Sequence, residues 1–190
     1  YFQPENMMEG NQPARAGVYP PDYFAPDDYT QRSLDWITDH RSGSPDKPFF
    51  LYLAYQTPHA PLHAKPKDIR KYQGRYDAGW DAVRKARFER QHAAGLTEPN
   101  AQWVDRNAGI PAWEELTAEQ QALHARYMKV YAALVDNVDQ NIGLLVAQWA
   151  RAMGASSILL FDLVPAKLDL ARKMGFTNVF DSRTSDPAKV

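Results

Sequence analysis

A chain of 190 residues with 44% apolar and 24% charged side chains is long enough to bury a core, which excludes a disordered tail. Its 22 basic and 23 acidic residues leave a net charge of −1, so no overall field recruits phosphate backbones or anionic lipid, and neither nucleic acid nor a membrane is an expected partner. The cysteine count of zero excludes disulfides, a thiolate nucleophile and cysteine-held metals, while suiting cytoplasm and periplasm equally.

No apolar run approaches ~18 residues, and no basic stretch leads into an apolar one at the amino terminus, so neither a spanning helix nor a signal peptide is expected. Residues 1–26 hold five of the 14 prolines and read as an irregular segment lying on something else. From Asp27 the pattern turns helical. Asp27 or Asp28 is the predicted cap, and Leu34, Trp36 and Ile37 follow before an end near His40. After a Ser, Gly and Pro loop, Phe49-Phe50-Leu51-Tyr52-Leu53-Ala54-Tyr55 predicts a strand buried on both faces inside a helix-covered sheet.

The next segment, Gln56 to Ala64, stiffens two histidines, His59 and His63, between prolines at the carboxyl end of that strand, where open α/β sheets bind ligands. Pro66 opens a short helix through Tyr72, ended by Gly74. Arg75 to Trp80 leads into an arginine-rich helix to about Ala94, and residues 95–116 are loop-like with Trp103 and Trp113 as packing anchors. Thr117-Ala118-Glu119-Gln120 is a capping box that starts a helical pattern running to Gly154. At ~55 Å it exceeds an ordinary globular helix, so it is either a rod or two shorter helices joined in phase. Strand 157–162, a helix from Pro165 to Gly175 and strand 177–181 complete a parallel crossover unit.

Two resemblances meet inside the long helix. Lys47 to Tyr55, Thr57-Pro58-His59-Ala60-Pro61-Leu62-His63-Ala64, Lys71 to Trp80 and Met128 to Asp136 resemble blocks of bacterial arylsulfatases of the sulfatase family, over about residues 1–141. The resemblance implies hydrolysis of a small sulfated ester. It also implies a formylglycine made from Cys or Ser, a divalent cation (Ca or Mg), and His59 as the sulfate-contacting catalytic residue. A cationic imidazole there would stabilise charge developing on the leaving oxygen. His63 is read as structural, and Arg75, Tyr76 and Asp77 either shape the pocket rim or a dimer surface or form a solvated loop with a local ion pair.

Residues 142–190 are similar to the NAD-binding domain of zinc-type medium-chain alcohol dehydrogenases, through Ile142 to Gln148, Ala152-Met153-Gly154-Ala155 and Ile158 to Asp162. In that comparison Gly143 matches the third glycine of the phosphate-binding turn. Asp162, 19 positions on, matches the acid that accepts from the ribose of NAD. Val138 and Gln140 stand where the first two glycines belong, and the preceding strand is missing.

The expected fold is therefore α/β: a fragment of an alkaline-phosphatase/sulfatase-like sheet with covering helices, joined through a long helix to a partial Rossmann-like strand-helix-strand unit. The expected function is of sulfatase lineage, with this chain alone inactive. No Cys exists, the run Ser185-Asp186-Pro187-Ala188-Lys189 carries Lys where the formylglycine motif needs Arg, and no metal ligands are recognisable. The alternatives are an NAD-binding oxidoreductase fragment and a non-catalytic packing module. Uncovered strand edges and apolar faces imply a need for the rest of the fold or self-association.

Overall fold

The computed structural model describes residues 1–4, 6–14, 19–163, 165–186 and 189. The elements in chain order are the strands β1 (Met8–Glu9) and β2 (Gln12–Pro13) and the helices α1 (Ala25–Gly43), α2 (Pro66–Arg70), α3 (Gly79–Ala93) and α4 (Ala118–Ala152). They are followed by β3 (Leu160–Asp162), α5 (Pro165–Lys173) and β4 (Val179–Asp181). The chain divides into two compact units, one made of residues 1–57 and 136–190 and the other of residues 58–135. Among the described residues no helix is long and apolar enough to cross a membrane.

In the first unit, β1 and β2 form a small antiparallel hairpin with Met8 opposite Pro13, a regular feature in a segment expected to be wholly irregular. Helix α1 is capped three or four residues earlier than expected. Its N-cap is Phe24, which is almost completely buried, and Pro26 presets the first turn. Asp27 and Asp28 therefore lie inside the first turn and make no cap bond, which corrects the sequence reading. They complement the helix dipole instead. Thr30, Ser33 and Ile37 form the buried stripe of α1, and the Thr30 and Ser33 hydroxyls donate back to the Pro26 and Tyr29 carbonyls at 2.9 and 2.7 Å.

The strand expected over 49–55 is not formed. Among the described residues no ladder pairs with this run, and Phe50 and Tyr52 are 90% and 80% exposed. Leu51, Leu53 and Tyr55 are half-buried on alternate positions, so the segment keeps the period of a strand on one side only. Tyr55 shares a hydrogen bond of 2.5 Å with Thr30 Oγ1 on α1. A buried strand needs hydrogen-bond partners on its edges as well as apolar faces, and no strand among the described residues supplies them here.

The later part of this unit matches the sequence reading closely. Strands β3 and β4 pair in parallel with Leu160, Phe161 and Asp162 opposite Val179, Phe180 and Asp181, and the two phenylalanine rings stack at 5.1 Å. Ala147 of α4, Leu168 of α5, Phe176 and Val179 form the apolar cluster, with Ile158, Leu160, Ala171 and Met174 packed around it. The Arg151 guanidinium lies over the Phe176 ring at 4.1 Å and donates to the Met174 and Gly175 carbonyls, satisfying the end of α5.

In the second unit, α3 is fixed at its start by Trp113. Gly79 has φ of +81°, and a Cβ there would sit 2.1 Å from Trp113 Cδ2, so only glycine fits. Trp113 is buried, crosses Trp80 edge-on at 4.9 Å and donates its backbone N–H to Asp81 Oδ2 at 3.0 Å. Trp103 is a looser anchor, 41% exposed, with Arg84 over its ring at 4.6 Å. The capping box forms as expected: Thr117 Oγ1 accepts from Gln120 N at 3.3 Å, and Thr117 N donates to Gln120 Oε1 at 2.9 Å. The helix it begins is one continuous element of 35 residues, as either a rod or two helices joined in phase would be.

Candidate functional site

The loop carrying the predicted histidine runs through the second unit from Pro58. His59 is exposed, and its Nδ1 lies 2.6 Å from the Ala60 carbonyl. A neutral ring that donates from Nδ1 in this contact carries its lone pair on Nε2, while a cationic ring presents Nε2–H as a donor. In either form the Nδ1 contact with the Ala60 carbonyl positions the ring. His63 is also exposed, and Ala64 is the buried residue of the loop. Directly after it, the Asp68 carboxylate, fully buried, receives Lys71 Nζ at 2.9 Å and holds the turn that follows α2.

The residues of the Arg75 to Asp77 loop divide. Arg75 and Asp77 are exposed, while Tyr76 is half-buried and stacks on Tyr72 at 6.4 Å. The sequence offered this region as a rim or a solvated loop and did not reveal the cavity of about 670 Å³ lined by Leu62, Tyr72, Tyr76, Trp80, Tyr127 and Tyr131. Its signal was present in the sequence as tyrosines at 127 and 131, one helical turn apart on α4. The cavity can accept a flat apolar group, and Arg87 at its wall supplies a cation.

Asp81 is the best-determined carboxylate of the unit. Burial pushes its pKa up, but the Trp113 N–H and the Arg106 guanidinium at 3.0 Å outweigh burial and hold it below the ordinary carboxylate value. Its bonds run within the protein, so it serves the scaffold.

The two residues expected to contact NAD belong to the first unit. Both line a cavity of about 180 Å³, together with Asp139 and Lys167. Gly143 lies inside α4, and a Cβ placed there meets nothing within 4 Å. Asp162 ends β3 and lies 3.7 Å from Lys167 Nζ, which is also bonded to Asp139.

A family model described as Sulfatase matches residues 3–161. The chain belongs to the sulfatase family. An uncharacterized sulfatase of Schizosaccharomyces pombe is 37% identical over 130 residues, covering 67% of this chain and 22% of the relative. An arylsulfatase of Klebsiella aerogenes is 32% identical over 127 residues, covering 67% of this chain and 26% of the relative. The chain thus spans about a quarter of the length of the sulfatases it matches. A second family model, described as Zinc-binding dehydrogenase, matches residues 141–190. A sorbitol dehydrogenase of Bacillus subtilis is 40% identical over 45 residues, 24% of this chain and 13% of that enzyme. Both family models cover residues 141–161, from the second half of α4 into β3.

The sulfatase family implies a metal ion and a formylglycine. Among the described residues no group of three or more His, Cys, Asp or Glu side chains could hold a metal ion. The sequence has no cysteine from which the aldehyde could be made, and the Ser185 to Lys189 run lacks the required arginine, with Pro187 and Ala188 lying outside the described residues. The residues present do not fit either group.

Proposed function

We propose that these 190 residues are a middle part of a sulfatase that contributes the His59 loop to sulfate recognition, joined at about residue 141 to a dehydrogenase-derived tail, and that the chain alone does not turn over sulfate esters. The observation that carries this reading is the sulfatase match across residues 3–161, which includes the Pro58-His59-Ala60-Pro61 loop. In the reading, His59 holds its ring by the Ala60 carbonyl and presents Nε2 to a sulfate oxygen or to the departing oxygen. The nucleophile and cation are supplied from outside these residues, and the fold class of the first 141 residues is that of an alkaline-phosphatase-like sheet from which neighbouring strands are missing. The extended, unpaired 49–55 run with its exposed Phe50 and Tyr52 supports the last point.

The test is turnover of 4-nitrophenyl sulfate by the purified chain with calcium or magnesium present. No turnover above that of buffer is expected. Turnover that disappears in His59→Ala would overturn the claim of inactivity while keeping the role of His59. Turnover that survives His59→Ala would overturn both.

A further inference from the structure

We infer that the tail has exchanged a dinucleotide contact for an internal bridge: Lys167 spans Asp139 of α4 and Asp162 of β3, so the unit β3–α5–β4 covers α4 and does not bind NAD. Three independent features of the first unit lead there.

The first is the missing anion cradle. A dinucleotide's pyrophosphate is held by the unsatisfied N–H groups at the start of a helix, reached through a glycine turn. Residues 138–143 instead lie about 20 residues inside α4, where backbone amides are engaged with carbonyls four residues back. Val138 and Gln140 replace the glycines, and Asp139 adds a negative charge that repels phosphate.

The second feature is the occupied acid. A ribose-binding carboxylate must be open to accept two hydroxyls, but Asp162 faces the Lys167 ammonium at 3.7 Å. Lys167 is only 19% exposed in its side chain. Burial alone would lower its pKa, yet the Asp139 hydrogen bond and the charges of Asp139, Asp162 and Asp136 outweigh burial and raise it. The cation is therefore present throughout the range in which NAD is stable.

The third feature is size. The cavity beside these groups is about 180 Å³ and is walled by Leu144, Ala147, Leu160, Phe161 and Leu168. Pockets that bury small-molecule ligands run to ~300–1,000 Å³. Three of these walls, Ala147, Leu160 and Leu168, belong to the apolar cluster that fastens the tail to α4.

The experiment uses the whole chain in two arms. Calorimetric titration with NAD to millimolar concentration is expected to give no saturable heat, and NAD is expected to leave Tm unchanged. Saturable binding that is lost in Asp162→Ala would overturn the inference. In the second arm, brief acetylation of the wild-type chain is read by mass spectrometry, comparing Lys167 with Lys173, an exposed lysine on the same helix. Lys167 is expected to label several-fold more slowly, and Asp139→Asn to remove most of that protection. Equal labelling of the two lysines would overturn the bridge without requiring any variant to fold.

Discussion

Asp27 Oδ1 accepts an amide hydrogen from Asn141 Nδ2 at 3.0 Å, across 114 residues of sequence, and a second from Asn137 Nδ2 at the same distance. Both asparagines are about 95% buried, one turn apart on α4, and Asn141 also donates to the Asn137 carbonyl at 2.9 Å. One carboxylate oxygen thus fixes the start of α1 against the middle of α4. Asp27→Ala strands these buried amides and is expected to cost about 1–3 kcal/mol. Asp27→Asn, which keeps an acceptor oxygen, is expected to cost less. Urea unfolding of the three proteins checks the order.

Gly79 and Gly109 form a matched pair for separating backbone strain from overlap. Both have positive φ, +81° and +84°, but a Cβ at Gly79 collides with the Trp113 ring, whereas one at Gly109 meets nothing within 4 Å. Gly109→Ala is expected to cost about 1 kcal/mol from its left-handed backbone alone. Gly79→Ala adds overlap in a packed site and is expected to cost about 2 kcal/mol more. Equal losses in thermal unfolding would mean that Trp113 moves freely aside.

The pH dependence of the second unit follows from Asp81. Its pKa is lowered on folding, so its contribution is fully present above the unfolded value near 3.8 and is lost as pH falls through the lower folded value. Stability measured from pH 6 down to pH 2 is expected to fall more steeply for the wild type than for Asp81→Asn. Parallel profiles would show that the Trp113 and Arg106 bonds do not depend on the charge.

Thr117→Ala removes the acceptor for Gln120 N at the start of α4 and is expected to cost about 1 kcal/mol, with Thr117→Ser close to wild type. Amide exchange in the first turn of α4 is the local readout.

These variants also show which parts of the fold were legible in the residues. The capping box, the long apolar period of α4 and the strand-helix-strand tail are short-range patterns, and each forms within about three residues of its expected place. Phe49 to Tyr55 misled because composition reports what a segment could bury and not whether neighbouring strands exist to pair with it. Asp27 misled for the opposite reason. Its partners Asn137 and Asn141 lie more than 100 residues away, so only the local role of a helix cap was visible. At the candidate site, the prolines around His59 announced a rigid loop, but the aromatic cavity containing Leu62 draws its walls from several distant elements.

On the proposed reading that two coding segments meet near residue 141, the unbroken α4 accounts for why a join is tolerated at this place. A helix imposes one requirement at a junction, the angular phase of its side chains, because each residue advances it by about 100°. Asn137 and Asn141 on the amino-terminal side of the join and Ala147 on the other already face their own partners. Deleting a single residue between Asn141 and Ala147 would rotate one set away from its partners while leaving every coding letter outside the deletion intact. A seam inside a strand or turn needs matching register, chain direction and loop geometry; a seam inside a helix needs rotation alone to agree.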